Sequence, residues 1–233
     1  MTNNTEILRT EGLKRSYLVN ETKIDVLKGI NLTINNQEFI AIMGKSGSGK
    51  TTLLKLLGLL DRPTEGKVFF KGEDSNSLRG DRLAMIRRRE IGFIYQDYYL
   101  MDSLSVRENI MLPKILDHSP VEESITEAEK LADIMGVRAL LDKKIFELSG
   151  GEKQRAAICR ALMNHSDLIL ADEPTGNLDS VTSMEVVGLL KSCAARFHQT
   201  TLIVTHQEEV AQMADRVIRM SDGKIYTRDC NDC

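Results

Sequence analysis

The chain has 233 residues, of which 42% are hydrophobic and 28% charged, and its formal net charge is −3. These proportions suit one large domain, or one domain with an inserted subdomain. The acidic balance argues against a nucleic-acid partner, and the three arginines at 87–89 fit a solvated helix face better than a nucleic-acid site. No apolar run reaches the roughly 18 residues that span a bilayer, and the N-terminus lacks a signal-peptide pattern. We therefore expect a cytoplasmic protein.

The four cysteines indicate reduced thiols. Cys159 and Cys193 lie in apolar helical runs, as packed thiols do. Cys230 and Cys233 form a C-x-x-C at the end of the chain, but a zinc site needs about four ligands and no histidine or second pair lies near them. A reduced tail is the simpler interpretation.

Strands and helices alternate along most of the chain. Residues 6–43 predict short strands, and the last of these is apolar and leads through a glycine-rich loop into a helix starting at Lys50. A strand near 67–70, a helix at 81–90 and a buried strand at 91–96 follow. Residues 97–160 predict a mostly helical insert, and alternation then resumes to a hairpin around Ser221 and Gly223. Apolar strands between helices predict a parallel sheet covered on both faces.

The first chemical motif is "GKSGSGKT", from Gly44 to Thr51, between an apolar strand and a helix. Glycines let backbone amides curl around a phosphate, Lys50 supplies a charge to the β- and γ-oxygens, and the Thr51 hydroxyl can hold Mg²⁺. The pattern and its context indicate a nucleoside triphosphate site.

The second motif is "LILADEP", a buried strand that ends in Asp172 and Glu173. Asp172 can hold Mg²⁺ and Glu173 can deprotonate the attacking water, although "DEPT" also looks like the start of a helix. His206 and Gln96 end two other strands, at the edge where open α/β sheets place their ligands. Each is a weak signal alone, but together the strand ends predict one site.

A second anion-binding pattern lies in "LSGGEKQR", where Ser149, Gly150 and Gly151 precede a helix. A hydroxyl, bare amides and a helix N-terminus favour phosphate. One phosphate loop is already present, so this second site needs an explanation.

Taken together, "GKSGSGKT", "YQD", "LSGGEKQR", "LILADEP", "NLD" and "VTH" resemble the nucleotide-binding subunit of an ABC transporter, over residues 6–227. The resemblance implies an α/β P-loop NTPase fold in a single domain, 1–233. That fold has a RecA-like core with a mostly parallel sheet, an N-terminal antiparallel β subdomain and an inserted helical subdomain at 97–160 that carries the signature. It also implies ATPase activity with ATP and Mg²⁺.

The resemblance assigns roles to individual residues. Glu173 would be the general base, His206 the switch histidine, and Gln96 would contact Mg²⁺ and link the site to the membrane partner. Thr51 and Asp172 would arrange Mg²⁺, Tyr17 would stack on adenine unless it is simply packed, and Asp179 would meet the other subunit. The phosphate-binding residues would be Gly44, Lys45, Ser46, Gly47, Ser48, Gly49, Lys50, Thr51 and Thr52.

The resemblance also explains the second anion site, since two such subunits dimerise head to tail over shared ATP. Ser149, Gly150, Gly151 and Glu152 would then act on the nucleotide of the other copy. Glu152 stands where many members carry Gln.

The chain is most similar to the macrolide-efflux, lipoprotein-release and antimicrobial-peptide exporter branch, whose ATPases sit on the inner face of the membrane through a permease subunit. The apolar patch of Tyr98, Tyr99, Leu100, Met101 and Leu104 is then either local packing or a docking site for a short permease helix. A regulatory ATPase that signals through a transmembrane partner, as in the cell-division branch, stays open. A soluble member acting on ribosomes or DNA is disfavoured by the net charge.

Overall fold

The computed structural model describes residues 6–226, so Cys230 and Cys233 lie outside it. The strands are β1 (Glu6–Val19), β2 (Thr22–Asn35), β3 (Phe39–Met43), β4 (Glu65–Phe70), β5 (Glu73–Asp74), β6 (Ile91–Tyr95), β7 (Leu168–Asp172), β8 (Thr200–Thr205), β9 (Arg216–Ser221) and β10 (Lys224–Tyr226). The α-helices are α1 (Lys50–Leu57), α2 (Gly80–Met85), α3 (Val106–Leu116), α4 (Val121–Ile134), α5 (Gly150–Leu162), α6 (Ser180–Arg196) and α7 (Glu208–Gln212). A π-helical turn occupies Ile86–Glu90, and 3-10 turns occupy Arg138–Leu140 and Ile145–Glu147.

The central sheet has the strand order β10-β9-β3-β8-β7-β6. Every neighbouring pair in it is parallel except β9 with β10, which form an antiparallel hairpin. Strands β3 and β8 are buried along their whole length, which requires cover on both faces. The predicted parallel sheet is confirmed, and the carboxyl ends of β3, β6, β7 and β8 meet at one edge.

Strand β3 shows how the two faces of the sheet are filled. Its odd residues, Phe39, Ala41 and Met43, join a hydrophobic cluster with the helices that follow β6. Its even residues, Ile40 and Ile42, join a second cluster with α1 and the N-terminal strands. The alternation follows from the two-residue period of a strand, and it fixes the loop after β3 between two cores.

A second, antiparallel sheet has the order β2-β1-β4-β5, as the resemblance implied. Strand β2 begins at Thr22, whereas the run "KGINLTI", which predicts one of the short strands within 6–43, begins at Lys28. Residues 22–25 are exposed, so no apolar alternation marks them, and pairing with β1 (Val19 opposite Thr22) extends the strand instead.

The region between β6 and β7 is mostly helical and packs α3 and α4 against α5. Helix α3 starts with a capping box between Ser105 and Glu108. Within residues 6–226, none of the helices combines the length and the apolar character that crossing a bilayer requires. Cys159 and Cys193 are buried free thiols, and burial raises the pKa of both.

Candidate functional site

The loop from Gly44 to Gly49 connects the buried strand β3 to α1. Two of its glycines take left-handed backbone angles, with φ of 77° at Gly47 and 100° at Gly49. A Cβ at Gly49 would come within 2.9 Å of the Leu27 side chain, so close packing also requires glycine there. The sequence therefore builds a tight turn that ends on the N-terminus of α1.

Lys50 is the first residue of α1, and only 6% of its surface is exposed. Its Nζ donates hydrogen bonds to the carbonyl oxygens of Gly44 (2.8 Å) and Lys45 (3.1 Å). Because those carbonyls belong to the loop itself, the ammonium group is held where an oxyanion bound in the loop would meet it.

Thr51 and Asp172 bring two oxygen ligands together from α1 and the end of β7. The Thr51 hydroxyl donates to Asp172 Oδ1 over 3.1 Å. Burial raises the pKa of the Asp172 carboxyl, the Thr51 hydrogen bond lowers it, and the neighbouring Glu173 raises it. A hydroxyl and a carboxylate at one point are the hard oxygen donors that Mg²⁺ prefers, so these two residues fit the predicted metal site.

Glu173 and His206 are in direct contact, from the ends of β7 and β8. His206 Nδ1 lies 2.8 Å from Glu173 Oε2. Glu173 has a left-handed backbone, with φ of 46°, and its N–H donates to the Val204 carbonyl. A non-glycine residue in this conformation marks a carboxylate whose direction the fold imposes. This pair can hold and orient a water molecule.

Gln96 follows β6 and forms a reciprocal amide pair with Asn177. Gln96 Nε2 donates to Asn177 Oδ1 (3.0 Å), and Asn177 Nδ2 donates to the backbone carbonyl oxygen of Gln96 (3.1 Å). A Cβ at Gly176 would lie 2.9 Å from Gln96 Cδ, so a larger residue there would displace the Gln96 amide from its present position. The pair ties the loop after β6 to the loop that precedes α6.

Four of these residues, Thr51, Gln96, Asp172 and Glu173, line one cleft of about 320 Å³, whereas His206 lines another pocket with Gly44 and Lys45. Among residues 6–226, the lining of the cleft comprises Ser46, Thr51, Tyr95, Gln96, Asp97, Tyr99, Asp172 and Glu173. The structure thus brings the phosphate loop, both acidic residues and Gln96 to one place.

The signature residues lie elsewhere, at the start of α5. Ser149 is the N-cap of that helix, and Glu152 completes a capping box with it. Within the described chain, none of residues 149–152 lines the cleft, and a Cβ at Gly150 would lie 3.2 Å from the Tyr98 hydroxyl. The two anion-binding patterns are therefore separate sites on one chain.

Asp179 and Tyr17 also lie apart from the cleft lining. Asp179 caps α6 by accepting hydrogen bonds from the Thr182 N–H (3.0 Å) and hydroxyl (2.6 Å), which lower the pKa of its carboxyl. The Arg15 guanidinium lies over the Tyr17 ring, 4.5 Å from the ring centre. The Tyr17 hydroxyl donates a hydrogen bond to Asp61 over 3.3 Å.

Arg160 was missed by the sequence reasoning. Its guanidinium donates to the carbonyl of Tyr98 (2.7 Å) and to that of Tyr99. Both tyrosines have left-handed backbones, with φ of 60° and 47°. The only signal in the sequence is a charged residue inside the apolar run "AAICRAL", whose burial lowers the pKa of the guanidinium.

The fold and the cleft define a P-loop nucleoside triphosphatase. The chain belongs to the ABC transporter family, whose model matches residues 27–176, and it is an ATPase cassette of that family.

Three relatives show the range of the family around this chain. The ABC transporter ATP-binding protein YvcR of Bacillus subtilis is 41% identical over 95% of this chain and 86% of its own length. The lipoprotein-releasing system ATP-binding protein LolD 1 of Rhodopseudomonas palustris is 40% identical over 94% of this chain and 98% of its own. The macrolide export ATP-binding/permease protein MacB of Rhodopirellula baltica is 46% identical over 94% of this chain, which spans only 32% of that relative.

Among solved structures, the ATP-binding cassette MJ0796 superposes with a TM-score of 0.88 at 38% identity, over 95% of this chain and 97% of that one. That structure is a dimer in a post-hydrolysis state, bound to ADP and Pi. The branch indicated by the sequence, which includes macrolide efflux and lipoprotein release, is confirmed by these relatives.

Proposed function

We propose that this chain binds ATP and Mg²⁺ at the cleft beside the phosphate loop and hydrolyses ATP to drive a membrane permease. The observation that carries this proposal is the convergence of Lys50, the Thr51–Asp172 pair and the Glu173–His206 pair on one edge of the sheet. The names of the relatives support export of a macrolide-type antibiotic or release of a lipoprotein-type substrate, and the sequence resemblance adds a peptide as a third substrate class.

In this mechanism the loop residues 44–52 bind the phosphates, and Lys50 neutralises the β- and γ-oxygens. Thr51 and Asp172, with Gln96, would hold Mg²⁺, which supplies charge neutralisation at the transferring phosphoryl group. Glu173 accepts a proton from the attacking water, and His206, bonded to Glu173, fixes the direction of that carboxylate. Tyr17 would stack on adenine.

The signature residues need a second copy of the chain in this proposal. Ser149, Gly150 and Gly151 do not reach the cleft of their own chain, and the MJ0796 cassette is a dimer. We infer a head-to-tail homodimer in which each signature covers the ATP of the other copy. Asp179, at the start of α6, would lie at that interface. The proposal treats residues 1–233 as one cassette domain, with the insert at 97–160 carrying the signature.

A groove of about 590 Å³ supports a docking site for the permease. Its apolar wall includes Phe93, Leu112 and Leu116, and Arg87 and Arg88 line it as well; no Asp or Glu is among its described lining residues. That chemistry fits a short apolar helix with an acidic residue. Such docking would place the chain at the inner face of the membrane.

The apolar patch at 98–104, for which the sequence left local packing and docking open, has Leu100 packed on the core and two exposed side chains near this groove. Tyr99 is 63% exposed and Met101 50% exposed, and the Tyr99 ring packs edge-on against Tyr95, which lines the groove. The patch would extend the surface offered to the permease.

The test of this function is Glu173→Gln. We expect ATP hydrolysis to fall at least about 100-fold, because the general base is lost. ATP binding should persist, and the variant should accumulate as a dimer when ATP is present. Phosphate release and sedimentation measure the two effects. The matched control is Glu209→Gln, an exposed carboxylate on α7 that should leave hydrolysis unchanged. Unaltered steady-state hydrolysis in Glu173→Gln would remove Glu173 from its role.

A further inference from the structure

The hydroxyl of Ser149 is already engaged within its own chain. Ser149 Oγ donates to Glu152 Oε2 over 2.7 Å, and the same carboxylate oxygen accepts the Ser149 N–H, also over 2.7 Å. A serine hydroxyl has a single proton, so its only donor is committed to Glu152. Its oxygen meanwhile accepts the Glu152 N–H over 3.4 Å.

A phosphate oxygen near neutral pH is an acceptor, so Ser149 can serve it only by turning that proton away from Glu152. The competing acceptor is strong, because a hydrogen bond to a carboxylate is roughly twice as strong as one between neutral groups. The two hydrogen bonds from Ser149 also hold the pKa of the Glu152 carboxyl below its usual value, which keeps it ionised.

We propose that Glu152 is a positioning residue that holds the Ser149 hydroxyl away from nucleotide and so weakens closure of the dimer over ATP. The inference rests on the proposed function, in which Ser149 meets the γ-phosphate bound by the other copy. Closure then exchanges the Ser149–Glu152 hydrogen bond for one between Ser149 and phosphate, and no covalent bond changes. Glu152 acts through Ser149 and has no direct nucleotide contact in this scheme.

The substitution Glu152→Gln separates this role from helix capping. A glutamine at the third helical position still accepts the Ser149 N–H, since Gln completes a capping box as Glu does. It is, however, a neutral and weaker acceptor for the hydroxyl. The fold and the start of α5 should survive, and only the hold on the Ser149 proton should weaken.

The chain contains a matched control in the same helical region. Ser105 and Glu108 cap α3 with the same pattern, in which Glu108 Oε2 accepts the Ser105 N–H (2.6 Å) and Ser105 Oγ accepts the Glu108 N–H (3.2 Å). This box has no part in the proposed ATP site. Glu108→Gln therefore makes the same chemical change at a second capping box.

The experiment measures ATP-dependent dimerisation by sedimentation in the Glu173→Gln background, where hydrolysis does not interfere. We expect Glu152→Gln to tighten the dimer about three- to tenfold for each of its two sites, and Glu108→Gln to leave it unchanged. In a protein that also carries Ser149→Ala, Glu152→Gln should have no effect, because there is no hydroxyl to release. Thermal unfolding checks that each variant is folded.

Each outcome of this experiment either supports or overturns the role proposed for Glu152. If Glu152→Gln leaves ATP-dependent dimerisation unchanged or weakens it, the inference is overturned. An equal gain in dimerisation from Glu108→Gln also overturns it. A gain that persists with Ser149→Ala, including recovery of a dimer that Ser149→Ala had abolished, also overturns it, because the carboxylate would then act by direct repulsion of phosphate. Failure of Glu173→Gln itself to dimerise with ATP is a separate result, and it would overturn the proposed function as well.

Discussion

The phosphate loop and the start of α5 both have the pattern of an anion-binding site, but only the loop has the other predicted ATP-site residues around it. Around the loop, Lys50, Thr51, Asp172 and Glu173 come from α1 and from the end of β7 and its following residue, and line or border one cleft. At α5, the Ser149 hydroxyl forms its hydrogen bonds with Glu152, its own cap partner.

The difference is one of neighbours rather than of local chemistry. Parallel strands deliver side chains to a shared edge, so the loop after β3 is surrounded by the ends of other strands. Helix α5 instead begins on the helical side of the molecule, next to Tyr98 and Thr182. In the proposed dimer, the nucleotide at this helix N-terminus is the one bound by the other copy.

The largest expected effect breaks the complete site. Lys50→Ala should weaken ATP binding by about 100-fold or more, since charge-assisted hydrogen bonds to phosphate are lost. Equilibrium binding of a fluorescent ATP analogue measures this. Lys130→Ala, an exposed lysine on α4, is the control and should bind normally. Intact affinity in Lys50→Ala would refute the assignment of the nucleotide site.

The next largest effect is expected from a substitution at the start of α5 alone. Ser149→Ala should lower hydrolysis about ten- to 100-fold, because a donor to the transition state is removed. ATP binding by the dilute monomer should not change. Loss of binding in the monomer would contradict the assignment of Ser149 to the other copy's nucleotide.

A smaller effect tests the contact between Arg160 on α5 and the segment that follows β6. Arg160→Lys cannot hold the carbonyls of both Tyr98 and Tyr99, because an ammonium lacks the planar fork of a guanidinium. We expect kcat to fall about tenfold as the backbone of Tyr98 and Tyr99, beside the cleft, loses its fixed position, with ATP affinity unchanged. Arg107→Lys, on α3, keeps the charge in the same region and should retain full kcat. An equal loss in both variants would indicate general destabilisation.

The smallest effect sharpens the boundary of the nucleotide site. Tyr17→Leu should weaken ATP binding about fivefold if the ring stacks on adenine, whereas Tyr17→Phe should bind normally. The phenylalanine variant loses only the hydrogen bond to Asp61. Equal affinity in all three proteins would show that Tyr17 is simply packed against Arg15.

The sequence predicted what short-range patterns determine. The strand, glycine loop and helix around Lys50 and the apolar strand before Asp172 follow from local periodicity, and the structure has them where expected. The capping box of Ser149 and Glu152 was also readable, since the S-x-x-E pattern is visible, but the glutamate was interpreted as a nucleotide-binding residue that departs from the family pattern.

The rest depends on contacts between distant parts of the chain. Asn177 pairs with Gln96 across 81 positions, and no local pattern announces that pair. The same holds for Arg160, whose partners are backbone carbonyls about 60 residues earlier. Such contacts are set by tertiary packing, so a single sequence gives no periodicity from which to infer them.

The bond from Arg160 has a consequence for how the molecule can change through evolution. The guanidinium binds carbonyl oxygens, which every amino acid carries, and not the rings of Tyr98 and Tyr99. The side chain at position 99 is largely exposed, so it can be exchanged while the anchoring bond stays in place. The backbone of this segment can therefore keep its position while the side chain that it exposes changes.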